Sequence, residues 1–170
     1  ICTARVAVGP TWDYARRLDP AGWHIFHSGA ALINAETLEV DGEVVDEATI
    51  TACERLAVEH GWVLEYYSAF EIACPSTEAL AVQHAGLLGL AHHPRSRDDL
   101  TGPLVRLQFV VPIEDTDAVL SAVPAGAQGT AATSPALDHA AFISVTKAGV
   151  SKATAIAKLA QRLGFGPEAV

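Results

Sequence analysis

The first 30 residues alternate between short apolar runs and turn-forming residues. Residues 1–3 have the pattern of a strand end, and Thr11–Leu18 predicts a short helix between Gly9-Pro10 and Asp19-Pro20. His24–His27 then predicts a short buried strand that ends at Ser28-Gly29-Ala30. A strand, a helix and a strand within about 30 residues match the size of a parallel crossover unit.

The pattern changes after Asn34 to a mixture of helices and hairpins. Asp41-Gly42 predicts a hairpin turn, and Asp46 is a suitable N-cap for a helix that Gly61 ends. The remaining predicted elements are antiparallel strands over Trp62–Tyr67 and Phe70–Cys74, helices over Thr77–Leu88 and Asp115–Val123, and strands over Leu104–Val111 and Ala141–Thr146. Ala125–Thr133, rich in Ala, Gly and Thr, predicts a loop. This mixture favours an α+β layer with an open antiparallel sheet.

The last helix has the clearest amphipathic pattern in the chain. Ser151 is a suitable N-cap, and apolar residues recur on one face at Ile156, Leu159, Ala160 and Leu163. Gly164 marks its end. The fold class that follows is α/β, with a parallel opening unit beside a separate α+β layer.

Composition excludes several classes of protein. Half of the 170 residues are hydrophobic, so the chain can bury a core. The sequence contains no uninterrupted apolar run of about 18 residues, so a membrane-spanning helix is not expected. A formal charge of −9, with scattered cations, disfavours nucleic-acid binding. The three cysteines have neither disulfide-framework nor zinc-ligand spacing, which favours a reducing, cytoplasmic setting. Oligomeric state is left open.

Thr3 and Lys152 are the two residues whose positions suggest chemistry. Thr3 ends the opening strand, and open α/β sheets bind ligands at the carboxyl ends of their strands, where a hydroxyl can donate to a phosphoryl oxygen. Lys152 lies in the first turn of the last helix, where the helix dipole disfavours a cation unless an anion is bound. The alternatives are that the Thr3 hydroxyl only forms hydrogen bonds with nearby backbone groups, and that the Lys152 ammonium is only solvated.

Other candidate groups form weaker patterns. The seven histidines are scattered, and His24 and His27, three apart on a strand, point to opposite faces, so a metal site is disfavoured. Arg95 and Arg97, with Asp98 and Asp99, form either a solvated loop or a substrate-specificity loop.

Three segments together resemble the haloacid dehalogenase (HAD) superfamily, specifically its Cof-type sugar-phosphatase subgroup (IIB). Ile1–Arg5 resembles the second motif, xxTGR, with Ala4 in place of Gly. Phe26–Ile33 resembles the xxNGAxI segment between core and cap, with Ser28 in place of Asn. Val150–Phe165 resembles the third motif, vsKGxAl…LGi, with Ala153 in place of Gly.

The resemblance implies a division of the chain and a set of roles. Residues 1–34 and 147–170 would be parts of a Rossmann-like core, and residues 35–146 an α+β cap that selects the substrate. Thr3 would hold a transferring phosphoryl oxygen and Lys152 would lie between nucleophile and phosphate. Arg5, Ser28, Gly29, Arg95 and Arg97 would contact a small phosphorylated substrate.

The resemblance also implies groups that the 170 residues lack. The family uses an Asp nucleophile in a DxDGT motif and a GDxxND motif, with Mg²⁺ as cofactor, and neither motif occurs here. We expect them before Ile1 and after Val170, so that this segment alone is inactive. Two alternatives stay open: a non-catalytic cap-like binding module, and an unrelated α/β domain in which Thr3 and Lys152 lie far apart.

Overall fold

The structure, a computed structural model, describes residues 1–166, so the last four residues of the predicted 147–170 core part lie outside it. Its first sheet has three antiparallel strands in the order β1-β2-β3, namely Trp23–Phe26 (β1), Ala31–Asn34 (β2) and Val40–Gly42 (β3). The opening residues run parallel to β1, with a bridge between Cys2 and Ile25. Helix α1, Gly9–Leu18, connects the opening residues to β1. The predicted parallel crossover is therefore present.

The predicted hairpin turn at Asp41-Gly42 is wrong, because both residues lie inside β3. The chain instead turns between β2 and β3, where the Asn34 side chain accepts hydrogen bonds from the backbone N–H groups of Glu36 (3.0 Å) and Thr37 (2.9 Å). A side-chain amide that satisfies nearby backbone donors stabilises such a turn. Strand β2 itself, Ala31–Asn34, is buried throughout and lacks the alternation by which sequence analysis recognises a strand.

Helix α5, Lys152–Arg162, packs across the first sheet. Ala155 is buried against Ile25 and Leu32, with Trp23, Ile156 and Leu159 around them. Ser151 accepts a hydrogen bond from the Thr154 backbone N–H at 3.0 Å, so the predicted N-cap is confirmed. This packing places the beginning of α5 beside the turn that follows β1.

The second sheet has five strands, all antiparallel to their neighbours, in the order β5-β4-β6-β8-β7. Its strands are Val63–Tyr67 (β4), Ile72–Ala73 (β5), Arg106–Pro112 (β6), Ala127–Ser134 (β7) and Leu137–Lys147 (β8), and its helices are Glu47–His60 (α2), Ala79–Leu87 (α3) and Thr116–Ala122 (α4). Asp46 caps α2 and Gly61, at φ +69°, ends it, as predicted. The predicted open antiparallel sheet is confirmed.

The predicted loop over Ala125–Thr133 is mostly strand β7. Its small, polar residues carry no apolar alternation, but they pair along β8 from Ala127 to Ser134. A Cβ on Gly129 would lie 2.9 Å from a Val123 methyl and 3.1 Å from a Leu120 methyl. The strand therefore needs a small residue where it passes the end of α4. Because small residues give no alternation of apolar and polar positions, the sequence pattern does not indicate a strand here.

The two faces of the second sheet differ in polarity. One face packs against α2 and α4 with Leu107, Phe109 and Ile143 in its centre. The opposite face packs against α3 through Val110 and Phe142, and then becomes polar at Glu65, Arg106 and Gln108, all buried. This polar part lies against the opening residues of the chain, since Arg106 donates a hydrogen bond to the Ala4 carbonyl. The division into core and cap at residues 34/35 and 146/147 stays a prediction.

Candidate functional site

Thr3 lies at the end of the short parallel pairing with β1. Its backbone N–H donates to the Ile25 carbonyl (2.9 Å), and its own carbonyl accepts from the Ser28 N–H (3.1 Å). The Thr3 hydroxyl oxygen accepts from the Arg5 N–H at 3.2 Å, and the residue is half-buried. The hydroxyl thus stands at the carboxyl end of two adjacent parallel segments, where the sequence places it.

The turn after β1 has unusual backbone geometry. His27, Ser28 and Gly29 have φ values of +52°, +59° and +108°. Such angles strain non-glycine residues by about 1–3 kcal/mol each and persist where the surrounding structure enforces them. Gly29 has a second constraint, since a Cβ there would lie 2.2 Å from the Ser151 carbonyl oxygen and 3.1 Å from the Lys152 nitrogen. The turn is therefore pressed against the first residues of α5.

These contacts join the three segments that resemble the family motifs. Thr3 is hydrogen-bonded to Ser28, and the next residue, Gly29, touches the backbone of Ser151 and Lys152. Lys152 is exposed, and within residues 1–166 its ammonium forms no ion pair. The Thr3 hydroxyl and the Lys152 ammonium suit an anion, not a metal ion. The main-chain segments that carry Thr3, Ser28, Gly29 and Lys152 meet at one end of the first sheet.

A cleft with a volume of about 280 Å³ extends along the polar face of the second sheet, next to the opening residues of the chain. Ala4 and Arg5 line one side, and Tyr67, Arg106, Gln108 and Ser144 line the other. The Arg106 Nη1 donates to the Ala4 carbonyl at 2.7 Å, and its guanidinium lies 3.9 Å from the centre of the Tyr67 ring. None of these second-sheet residues was predicted from the sequence.

A buried polar network lies behind the cleft. Glu65 accepts hydrogen bonds from the Tyr67 hydroxyl (2.5 Å) and the Gln108 amide (3.2 Å), and its other oxygen lies 2.8 Å from the His84 Nδ1. Burial, and secondarily the Glu65 charge, raise the pKa of Tyr67, so Tyr67 remains a hydrogen-bond donor. One sequence signal could have revealed the network: Glu65 and Gln108 are polar residues at buried positions of otherwise apolar strands.

His27 connects the turn after β1 to the second sheet. Its Nε2 donates to the Ala69 carbonyl at 3.0 Å, and its ring packs edge-on to Tyr67. Burial, together with the nearby Arg106 charge, lowers the pKa of His27 to about 3. His27 is therefore neutral at physiological pH.

Arg95 and Arg97 lie in a different place from the Thr3 junction. Arg95 donates to the Glu71 carboxylate (3.3 Å) and to the Asp99 carbonyl. Arg97 forms ion pairs with Glu47 (2.6 Å) and Glu54 (3.1 Å). The Arg97 ion pairs hold the loop against α2, and neither arginine lines the cleft beside Ala4. Their proposed contact with substrate stays a prediction.

Within residues 1–166, no group of three or more His, Cys, Asp and Glu side chains could hold a metal ion. Cys2, Cys53 and Cys74 are free thiols; burial raises the pKa of Cys53 to about 12 and of Cys74 to about 11. Neither buried cysteine is therefore activated as a thiolate nucleophile. None of the described helices is long and apolar enough to cross a membrane.

Solved structures have a similar fold. A haloacid dehalogenase-like hydrolase from Bacteroides thetaiotaomicron matches 96% of this chain and 63% of its own, at 19% identity and a TM-score of 0.76. A phosphatase of the haloalkanoate (HAD) superfamily from the same bacterium matches 98% of this chain and 59% of its own, at 19% identity and a TM-score of 0.75. An HAD subclass IIB sugar phosphatase matches 99% of this chain and 63% of its own, at 17% identity and a TM-score of 0.75.

This chain has the fold of the corresponding part of these HAD structures. The resemblance predicted from the three segments, and the mixed α/β class, are thus confirmed at the level of the fold. The chain spans 59% to 63% of the length of these HAD structures. No family model matches the sequence, and no curated protein matches it significantly. At identities below 20%, the HAD likeness concerns the fold and does not assign a substrate.

Proposed function

We propose that this chain is the middle part of a Mg²⁺-dependent phosphatase that acts on a small phosphorylated metabolite, such as a sugar phosphate. The observation that carries the proposal is the junction at Gly29. The glycine touches the backbone of Ser151 and Lys152, and the residue before it is hydrogen-bonded to Thr3. The main chains of three segments that are distant in sequence thus meet at one end of a sheet, and two of them carry the Thr3 hydroxyl and the Lys152 ammonium.

The proposed roles follow from the chemistry of phosphoryl transfer. Charge is spread over the oxygens of the phosphoryl group in the transition state, so catalysis depends on positioned donors and cations. The Thr3 hydroxyl would donate to a phosphoryl oxygen, and the Lys152 ammonium would reduce the repulsion between a carboxylate nucleophile and the phosphate. Arg5, Ser28 and Gly29 would complete the substrate contact, the last two through the turn that they form.

The nucleophile and the metal ligands would come from outside residues 1–170. The described residues at the junction offer a hydroxyl and an ammonium, which do not form a set of Mg²⁺ ligands. We propose that the reaction proceeds through an aspartyl-phosphate on that nucleophile. This intermediate and the Mg²⁺ dependence rest on carboxylates that this chain does not supply. Residues 35–146 would form the cap that excludes water and selects the leaving group. The free thiols support a cytoplasmic location.

A phosphatase assay on the complete polypeptide that contains these residues tests the proposal. We expect release of inorganic phosphate from a panel of phosphorylated sugars and sugar acids, with a loss of at least 100-fold after chelation of Mg²⁺. Hydrolysis that is independent of metal would contradict the mechanism. Binding of phosphorylated sugars without hydrolysis would instead support the non-catalytic binding module.

A further inference from the structure

Arg106 is a buried cation without a carboxylate partner. Only 5% of the residue is exposed, yet among residues 1–166 no Asp or Glu forms an ion pair with it. Its Nη1 donates to the Ala4 carbonyl, while its buried Nε has no hydrogen-bond partner within the described part of the chain. A buried charge ordinarily has a partner of opposite charge, since its desolvation is otherwise costly. An anion would supply the partner that Arg106 lacks.

The buried carboxylate of the neighbouring network does not serve this purpose. Glu65 is engaged by Tyr67, Gln108 and His84. Arg106 contacts this network through the face of the Tyr67 ring, 3.9 Å from the ring centre. The guanidinium thus has one edge on the Ala4 carbonyl and one face on Tyr67, and the buried, unpartnered Nε marks the edge that remains. That edge can donate two parallel hydrogen bonds to a carboxylate.

The cleft that Arg106 lines has the composition of a site for a small polar molecule. Arg5 adds a second cation, Thr133 and Ser144 add hydroxyl groups, and Phe142 adds an apolar wall. Its volume of about 280 Å³ lies just below the range of roughly 300–1,000 Å³ that is usual for ligand sites. A compact metabolite therefore fits it better than a polymer does.

We propose that this cleft binds the leaving group of the phosphate ester, and that Arg106 recognises a carboxylate on it. This inference rests on the proposed function, which places the phosphoryl group at Thr3. Ala4 and Arg5, which line the cleft, follow Thr3 directly, and the Ala4 carbonyl accepts a hydrogen bond from Arg106 at 2.7 Å, so the cleft adjoins the segment that carries Thr3. The substrate class that results is a phosphorylated sugar acid or hydroxy acid.

The test uses three six-carbon substrates that share a phosphate at C6 and differ at C1. Gluconate 6-phosphate has a carboxylate at C1, glucitol 6-phosphate an alcohol, and glucitol 1,6-bisphosphate a second phosphate. For the complete polypeptide, we expect kcat/KM to be at least 10-fold higher for the carboxylate than for the alcohol, because hydrogen bonds between charged groups contribute about 10- to 100-fold. A bisphosphate preferred over the carboxylate would overturn the assignment of a carboxylate.

Substitutions of Arg106 separate recognition from structural support. We expect Arg106→Gln to lower kcat/KM by 10- to 100-fold for gluconate 6-phosphate and by less than threefold for glucitol 6-phosphate. Arg106→Lys keeps the charge and should retain part of the preference for gluconate 6-phosphate over glucitol 6-phosphate. This variant tests the role of the charge if the Gln variant does not fold. The matched control is Arg55→Gln, on the exposed surface of α2, which should change neither value.

Two results would overturn the proposal: equal losses for both substrates in Arg106→Gln, or a wild-type enzyme that does not distinguish them. Either result would make Arg106 a structural link between the sheets. Failure of the proposed function has a different signature, the absence of hydrolysis for all three substrates. Calorimetric titration with gluconate 6-phosphate then tests the carboxylate site separately. Binding that Arg106→Gln abolishes would support the site even without hydrolysis. Binding that the substitution does not change would rule the site out.

Discussion

Gly29 is the residue at which backbone conformation and close packing coincide. Its φ of +108° is unfavourable for any other residue, and its missing side chain leaves room for the Ser151 carbonyl. A larger residue would push the turn away from α5 and separate Ser28 from Lys152. The junction therefore depends on the absence of a single methyl group.

Gly29→Ala tests this dependence. We expect a loss of at least 2 kcal/mol in the free energy of unfolding, because the conformational cost of about 1–2 kcal/mol adds to the clash, and a loss of phosphatase activity in the complete polypeptide. The control is Gly149→Ala, which has a similar positive φ (+81°) but nothing within 4 Å of the added Cβ. Urea unfolding measures both, and equal losses would contradict the argument from the close contact.

Lys152 illustrates a residue whose position is unfavourable for stability and favourable for the proposed chemistry. A cation in the first turn of α5 is disfavoured by the helix dipole by about 0.3–1 kcal/mol. We therefore expect Lys152→Met to leave the free energy of unfolding unchanged or slightly higher, and to lower kcat by about 100- to 1,000-fold. Thermal unfolding and phosphate release measure the two effects. Lys147→Met, which removes an exposed ion pair with Glu43, should have little effect on either.

At the scale of the element, the residues that begin and end the helices could be predicted because their interactions are local. Asp46 and Ser151 each accept a hydrogen bond from a backbone N–H three residues ahead, and Gly61 adopts the left-handed conformation. Strands β2 and β7 could not be predicted in this way. Strand β2 is buried on both faces, and β7 consists mostly of small residues that pair with β8 and pass close to α4.

The polar face of the second sheet carries a further prediction. The Tyr67 hydroxyl donates to the buried Glu65 carboxylate, so Tyr67→Phe removes a hydrogen bond to a charged group. We expect the free energy of unfolding to fall by about 1.5–3 kcal/mol. Tyr14→Phe, on the exposed side of α1, is the matched control and should change it by less than about 0.5 kcal/mol. A small loss in Tyr67→Phe would show that the network contributes little to stability.

At the scale of the whole molecule, two hydrogen bonds connect the first sheet region to the second near the candidate site. Arg106 donates to the Ala4 carbonyl, and His27 donates to the Ala69 carbonyl. Both side chains also pack on Tyr67. The relative placement of the two regions at the cleft therefore depends on groups that are separated by 42 and 102 positions in the sequence.

The stability of the whole molecule should depend on pH through His27. Its pKa is lowered from 6.5 to about 3 in the folded state, so between these values the unfolded state binds one more proton. His27 therefore does not lower the free energy of unfolding above pH 6.5. Below that pH it lowers the free energy of unfolding by up to about 1.4 kcal/mol per pH unit. We expect His27→Gln, whose amide can replace the bond to Ala69, to flatten this dependence between pH 6.5 and 4.

Urea unfolding at a series of pH values measures the effect. The exposed His93→Gln serves as the control, and its pH dependence should equal that of the unsubstituted protein. An unchanged slope in His27→Gln would mean that other groups account for the acid sensitivity.

The sequence by itself determined the parallel opening unit, the capped helices and the open antiparallel sheet, because each follows from periodicity or capping over a few residues. It also indicated Thr3 and Lys152 as candidate site residues, because of their positions at the end of a strand and the start of a helix. Only the tertiary structure decided that Gly29 joins the segments of Thr3 and Lys152, that Arg95 and Arg97 pair with acidic residues away from this junction, and that Arg106 lines a cleft next to the opening residues. These relations are contacts between distant parts of the chain. Local patterns do not encode them, because they arise only when the two sheets pack together.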